Sequence, residues 1–145
     1  MGSLTPYLIV RGAARAIAFY QRAFGAREVF RLTAPDGDRI GHAHLEVGDA
    51  AFMLADEWPD FGALSPTSIG GTPIRLHLGV EDADAVVRRA EEAGATVLRA
   101  VKDEFHGERS GMIADPFGHQ WHIATSKEDV SPEEMQRRWN EAMTE

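Results

Sequence analysis

Tyr7-Leu8-Ile9-Val10-Arg11-Gly12, running on through Ala13-Ala14-Arg15-Ala16-Ile17-Ala18-Phe19-Tyr20-Gln21-Arg22-Ala23-Phe24 to Gly25-Ala26, decides the fold of this chain. The apolar run Tyr7 to Val10 reads as a strand. Ala13, Ala16, Ile17, Tyr20 and Phe24 then recur at helical spacing. Gly25 stands where a helix C-cap wants a positive φ. About seventy positions later the pattern returns, which marks an internal repeat. Leu76, Leu78 and Val80 alternate as a strand. Ala83, Val86, Val87, Ala90 and Ala93 form a second helical stripe, closed by Gly94-Ala95, and Asp82 is placed to cap its start.

Working outward, each helix precedes β-rich sequence. Val29 to Leu32 leads through the turn Pro35-Asp36-Gly37-Asp38 into a strand over Ile40 to Val47. Gly48-Asp49 turns the chain into Ala50 to Ala55. In the second half the strands are Thr96 to Val101, Gly111 to Ala114 and Gln120 to Ala124, with Asp115-Pro116-Phe117-Gly118 as the last turn. The expected fold is α+β: one domain over residues 1–145, made of two βαβββ modules at residues 4–56 and 72–125. Residues 57–71, rich in Gly, Pro and Ser, form the linker. Ser131-Pro132-Glu133-Glu134 is a capping box that opens a C-terminal helix at about residues 132–143. Met135, Trp139 and Ala142 or Met143 share a face of that helix as a docking surface.

Strand alternation sorts side chains by face. Leu8, Val10, Leu45, Val47, Phe52, Leu54, Leu76, Leu78, Trp121 and Ile123 go to the helix side. The two-residue hairpin loop pairs His44 with Met53 and Leu45 with Phe52. Tyr7, His42, His44, Glu46, Met53, Arg75, His77, Gln120 and His122 go to the other side. A sheet with helices on only one side exposes its second face or curls it into a cup, and a polar cup is a natural ligand pocket.

Composition narrows the function. Hydrophobic residues make up 43% and charged residues 26% of the 145 positions, an ordinary balance for one globular domain. The formal net charge of −8 disfavours phosphate backbones and anionic lipid, so neither nucleic acid nor membrane is an expected partner. The absence of cysteine excludes disulfides, thiolate metal sites and a cysteine nucleophile. Tyr7 to Val10 is too short for a signal peptide or a span, so a cytoplasmic location is expected. Gly70-Gly71-Thr72 lacks the lysine and helix of a phosphate loop.

The opening run Tyr7 to Gly12 with Ala16 to Ala26, and the closing turn Asp115-Pro116-Phe117-Gly118-His119, resemble the vicinal-oxygen-chelate proteins. These are the glyoxalase/bleomycin-resistance/dioxygenase superfamily. The tail from Lys127 to Glu134 resembles its PhnB-like branch, and the likeness spans about residues 4–138. The resemblance implies paired βαβββ modules forming a cup-shaped mixed sheet, assembled as a homodimer. Metalloenzymes of the superfamily hold a divalent ion with four residues, which fall here on Thr5, Met53, Arg75 and His122. Only His122 is a competent ligand, since threonine is poor, the methionine thioether is soft and arginine is a fixed cation.

The expected function is therefore binding of a small, anionic or carbonyl-bearing, partly planar molecule in a metal-free cup without a cofactor. Tyr7, His44, Met53, Arg75, His77 and His122 are its expected lining. The alternative is an enzyme of lyase, isomerase or dioxygenase type. It would use either a divalent metal relocated among His42, His44, His77, His122 and Glu46, or acid–base chemistry by His122, the candidate catalytic residue. Arg75 is expected to hold a ligand anion or to pair with Glu46 or another acidic neighbour.

Overall fold

The computed structural model describes residues 2–144. Strands β1 (Tyr7–Val10), β2 (Arg27–Thr33), β3 (Ile40–Val47) and β4 (Ala50–Asp56) surround helix α1 (Ala13–Phe24) in the first half. After a 3-10 turn at Pro59–Phe61 and the short helix α2 (Pro66–Ile69) come β5 (Arg75–Gly79), α3 (Ala83–Glu92), β6 (Thr96–Asp103), β7 (Glu108–Ala114) and β8 (Gln120–Ser126). Helix α4 (Pro132–Met143) is the last element among the described residues. The strands form two sheets of identical order, β1-β4-β3-β2 and β5-β8-β7-β6. In each, the strand before the helix pairs in parallel with the last strand of its half. The α+β fold of two βαβββ units with a C-terminal helix, read from the repeat, is the fold observed.

Local signals act where expected. Gly25 takes φ 69° at the end of α1, a left-handed conformation that costs a residue with a Cβ. Asp82 accepts from the Ala85 amide at the start of α3, and Ser131 accepts from the Glu134 amide at the start of α4. The Glu134 carboxylate does not complete the capping box; it binds Arg137 and Arg138 instead. The linker holds more structure than its composition suggests: Ser65 caps α2, and Arg39 lies 4.5 Å from the centre of the Trp58 ring.

One core serves both halves. The inner sides of the two sheets and the buried faces of α1 and α3 belong to a single apolar cluster, with α1 lying against α3. Trp121 of β8 meets Phe24, Tyr20 and Phe52 of the first half at centroid distances of 4.8, 5.5 and 5.5 Å. Asp115 fastens this junction. Its Oδ2 accepts from the Tyr20 hydroxyl at 2.5 Å and from Trp121 Nε1 at 2.9 Å, and its Oδ1 accepts from the Phe117 and His119 amides. Burial and the adjacent carboxylate hold the Tyr20 hydroxyl well above its usual pKa. His119 Nε2 donates to the Ile9 carbonyl at 2.9 Å, a further link between halves. With the inner faces turned toward one shared core, the open face of each sheet looks outward.

Candidate functional site

The register of each sheet sets which side chains share an open face. Met53 lies between Tyr7 and His44, and His122 lies between His77 and Met112. The pairings His44 with Met53 and Leu45 with Phe52 are those the alternation predicts. The six expected lining residues thus fall into two sets of three: Tyr7, His44 and Met53 on the first sheet, Arg75, His77 and His122 on the second. A single chain does not bring the two sets together. It presents two half-sites on outward faces.

The first open face is built of rings. The Tyr7 hydroxyl lies 2.9 Å from His42 Nδ1, and burial pushes its pKa up. Phe30 stacks on His44 at 20° between planes and tilts against His42. Tyr7, Phe30 and Leu32 remain 45%, 44% and 58% exposed, a large apolar share for a free surface. Glu46 forms an ion pair with Arg27. Glu46 is therefore the partner of a first-sheet cation, and Arg75, exposed on the second sheet, has no ion pair or side-chain hydrogen bond among the described residues.

The second open face is built of titratable groups. The His77 and His122 rings are 4.9 Å apart. Glu108, at the start of β7, reaches both neighbouring imidazoles. Its oxygens lie 3.4 and 3.5 Å from His77 Nε2 and 2.9 Å from His106 Nε2. His122 Nε2 is buried and has no hydrogen-bond partner among the described residues. Burial, then the His77 and Arg99 charges, lower the His122 pKa, so its neutral form is favoured. For Glu108 burial pulls upward, but hydrogen bonds from His106 and His77 prevail and hold its carboxyl below the usual range. His77, Glu108 and His122 offer donor atoms that all lie within 4.8 Å of one another. Beside them a groove of about 900 Å³ runs between the β3–β4 turn and the start of α3, lined by Val47, His77, Glu108 and Ser126 among others.

Sequence reasoning missed Glu108. The segment Glu108-Arg109-Ser110 shows no apolar alternation, so the strand reading starts at Gly111, whereas β7 starts at Glu108. What places Glu108 is tertiary. Gly107, at φ 96°, lets the tail cross it: the Lys127 and Glu128 amides donate to its carbonyl, and a Cβ there would meet the Glu128 carbonyl at 2.6 Å. Phe105 anchors this loop on α4, its ring 5.7 Å from Trp139, and Arg138 donates to the Phe105 carbonyl.

The superfamily's metal positions do not fit a metal here. Thr5 precedes β1, Met53 supplies a thioether, and Arg75 is a cation on the other sheet from both. His122 alone among them has a ligand's chemistry. His42 and His44, on the first sheet, are likewise apart from His77 and His122.

Comparison with known proteins accords with this architecture. An uncharacterized protein of Mycobacterium bovis is 44% identical over 137 residues, covering 92% of this chain and 90% of that protein. The crystal structure of a gene product from Arabidopsis thaliana superposes with a TM-score of 0.68 at 27% identity, covering 86% of this chain and 98% of the other. TioX from Micromonospora shares the fold at a TM-score of 0.66 and 24% identity, covering 90% and 100% of the two chains. Residues 3–123 match the family profile of the Glyoxalase/Bleomycin resistance protein/Dioxygenase superfamily. With its two βαβββ halves and this match over most of its length, the chain belongs to that superfamily.

Proposed function

We propose that the protein binds a small, partly planar molecule carrying a carboxylate, phosphate or polarised carbonyl, in cups formed between the sheets of two subunits. The observation that carries this reading is Arg75, a permanent cation on an open sheet face with no partner of its own among the described residues. A guanidinium without a carboxylate of its own gains most from a planar anion it can grip with two parallel bonds. The first sheet supplies the complement: rings at Tyr7, Phe30 and His44 suited to stacking on a flat ligand. Because the two half-sites face outward on one chain, a cup needs the first sheet of one subunit over the second sheet of another. The exposed apolar side chains Tyr7, Phe30 and Leu32 then gain a cover. The partners are thus a second copy of the chain and a small molecule, in the cytoplasm; no helix among the described residues is long and apolar enough to cross a membrane.

Native mass spectrometry of gently purified protein tests the reading. The expected result is a dimer that retains a small organic mass per cup. A monomer at micromolar concentration, with no retained mass and no thermal shift from aromatic carboxylates or phosphate esters, overturns it. A second reading, catalysis, is favoured by one observation, the His77, Glu108 and His122 cluster on the same face.

A further inference from the structure

We propose that His77, Glu108 and His122 bind one divalent transition-metal ion, at a site displaced from the superfamily's metal position. The proposal stands on geometry and goes beyond the small-molecule reading, which could fail without affecting it. Two imidazoles and one carboxylate offer donor atoms within 4.8 Å of one another; bonds of about 2.1 Å hold donors no more than about 4.2 Å apart, so the half-exposed His77 ring would close the remaining gap on binding. Two histidines and a carboxylate on one side of an ion, with open positions on the other, suit Zn²⁺ or Fe²⁺ better than Mg²⁺ or Ca²⁺.

A plain hydrogen-bonded network accounts for the cluster less well. Glu108 already pairs with His77 and His106, yet His122 Nε2 is buried and has no partner among the described residues. A buried nitrogen without a partner is costly, and a bound ion beside it removes that cost. His106 has the place of an outer support, since its bond to Glu108 Oε1 fixes the carboxylate.

The displacement also answers the electrostatic objection to the superfamily position. Arg75 occupies that position, and His77 lies two residues further along β5, roughly 7 Å away along the strand. Glu108 adds a negative charge on the far side from Arg75, which the superfamily set on this chain lacks. A nearby cation, Arg99, is already neutralised by Glu104. An ion at the new site would sit beside the groove, where His77 is half exposed, so its remaining positions would face solvent or a ligand.

The test uses the full chain, stripped with chelator and titrated with Zn²⁺ by calorimetry and with Co²⁺ by visible absorption. One equivalent per chain is expected, with Co²⁺ bands appearing in step. Glu108→Gln and His77→Ala should each weaken binding at least about tenfold. Both side chains lie off the core, and circular dichroism checks that each variant folds. His42→Ala, on the other sheet, should leave binding unchanged, and Arg75→Ala should leave it unchanged or tighten it. Absence of stoichiometric binding overturns the proposal. So does binding that survives both Glu108→Gln and His77→Ala, or that is lost with His42→Ala, since these outcomes place the ion elsewhere. Loss of organic-ligand binding in Arg75→Ala with metal binding intact separates this site from the anion site.

Discussion

The two sheets share strand order and inner packing, but beyond the pair of histidines on each, their open faces differ. On the first, Tyr7, Phe30, His42 and His44 make a patch of rings. On the second, Arg75, His77, Glu108 and His122 make a charged and titratable patch. Both inner faces must meet the same requirement, burial against a helix, and the repeat is clear there: Leu8 and Val10 answer to Leu78 and Val80, Phe52 and Leu54 to Trp121 and Ile123. Nothing in the core constrains the outer faces, so each can take a different task. The first half is suited to hold a flat surface, the second to hold charge.

The largest expected effect lies where the halves are fastened rather than where they differ. Asp115 is 4% exposed and accepts four hydrogen bonds, one of them from Tyr20 in the first half. Asp115→Ala leaves the Tyr20 hydroxyl and the Trp121 indole N–H buried without an acceptor. A loss of about 3–5 kcal/mol is expected from urea unfolding, at the upper end for a single polar deletion. If the loss is under about 1 kcal/mol, the halves are held by apolar contact alone and the junction described above is not a single unit.

How much of this was legible in the sequence follows the same division. The inner faces are written in apolar periodicity, so both helices, the β3–β4 hairpin register and the fold could be read directly. Caps at Asp82, Ser131 and Gly25 are local chemistry and were readable too. The open faces are set by alternation only in part. Alternation placed His77 and His122 on one face, but Glu108 depends on a polar strand start fixed by Gly107 and the tail. The division of the six expected lining residues between two outward faces is a matter of how the halves dock, which no local pattern encodes. Asp115, read as part of a turn, is in fact the most connected polar group at the junction, because Tyr20, ninety-five positions away, reaches it.

A second prediction bears on the difference between faces. With an aromatic carboxylate as probe, Arg75→Ala should weaken binding by roughly ten- to a hundredfold, the usual value of a charge-assisted hydrogen bond. Met53→Ala, at the centre of the first open face, should cost only a few-fold, because it removes contact area and no charge. Tryptophan fluorescence titration measures both. Equal losses would mean that the two faces contribute alike and the proposed division of labour is wrong.

The smallest effect is a pH dependence confined to the second sheet. Burial, followed by the neighbouring His77 and Arg99 charges, depresses the His122 pKa below 6.5 in the folded chain. Between the unfolded value and this lower one, the unfolded chain binds more protons than the folded chain, so stability rises with pH in that window. The contribution is fully present above about pH 6.5 and is lost as pH falls through the folded pKa. Glu108 acts in a separate, more acidic window, its stabilising charge being lost only as pH falls below 4.5 through its own lowered value. Urea midpoints at pH 7.5 and pH 5.5 therefore sample the His122 window while staying above that of Glu108. The wild-type chain should be less stable at pH 5.5, and His122→Gln should reduce that difference. Met53→Leu, at the repeat-related position of the first sheet, carries no titrating group and should leave the difference as in the wild type. If His122→Gln leaves it unchanged as well, the imidazole is not desolvated by the second face. The unpartnered nitrogen at the proposed metal site would then be in contact with water, and the charged patch would be an ordinary solvated surface.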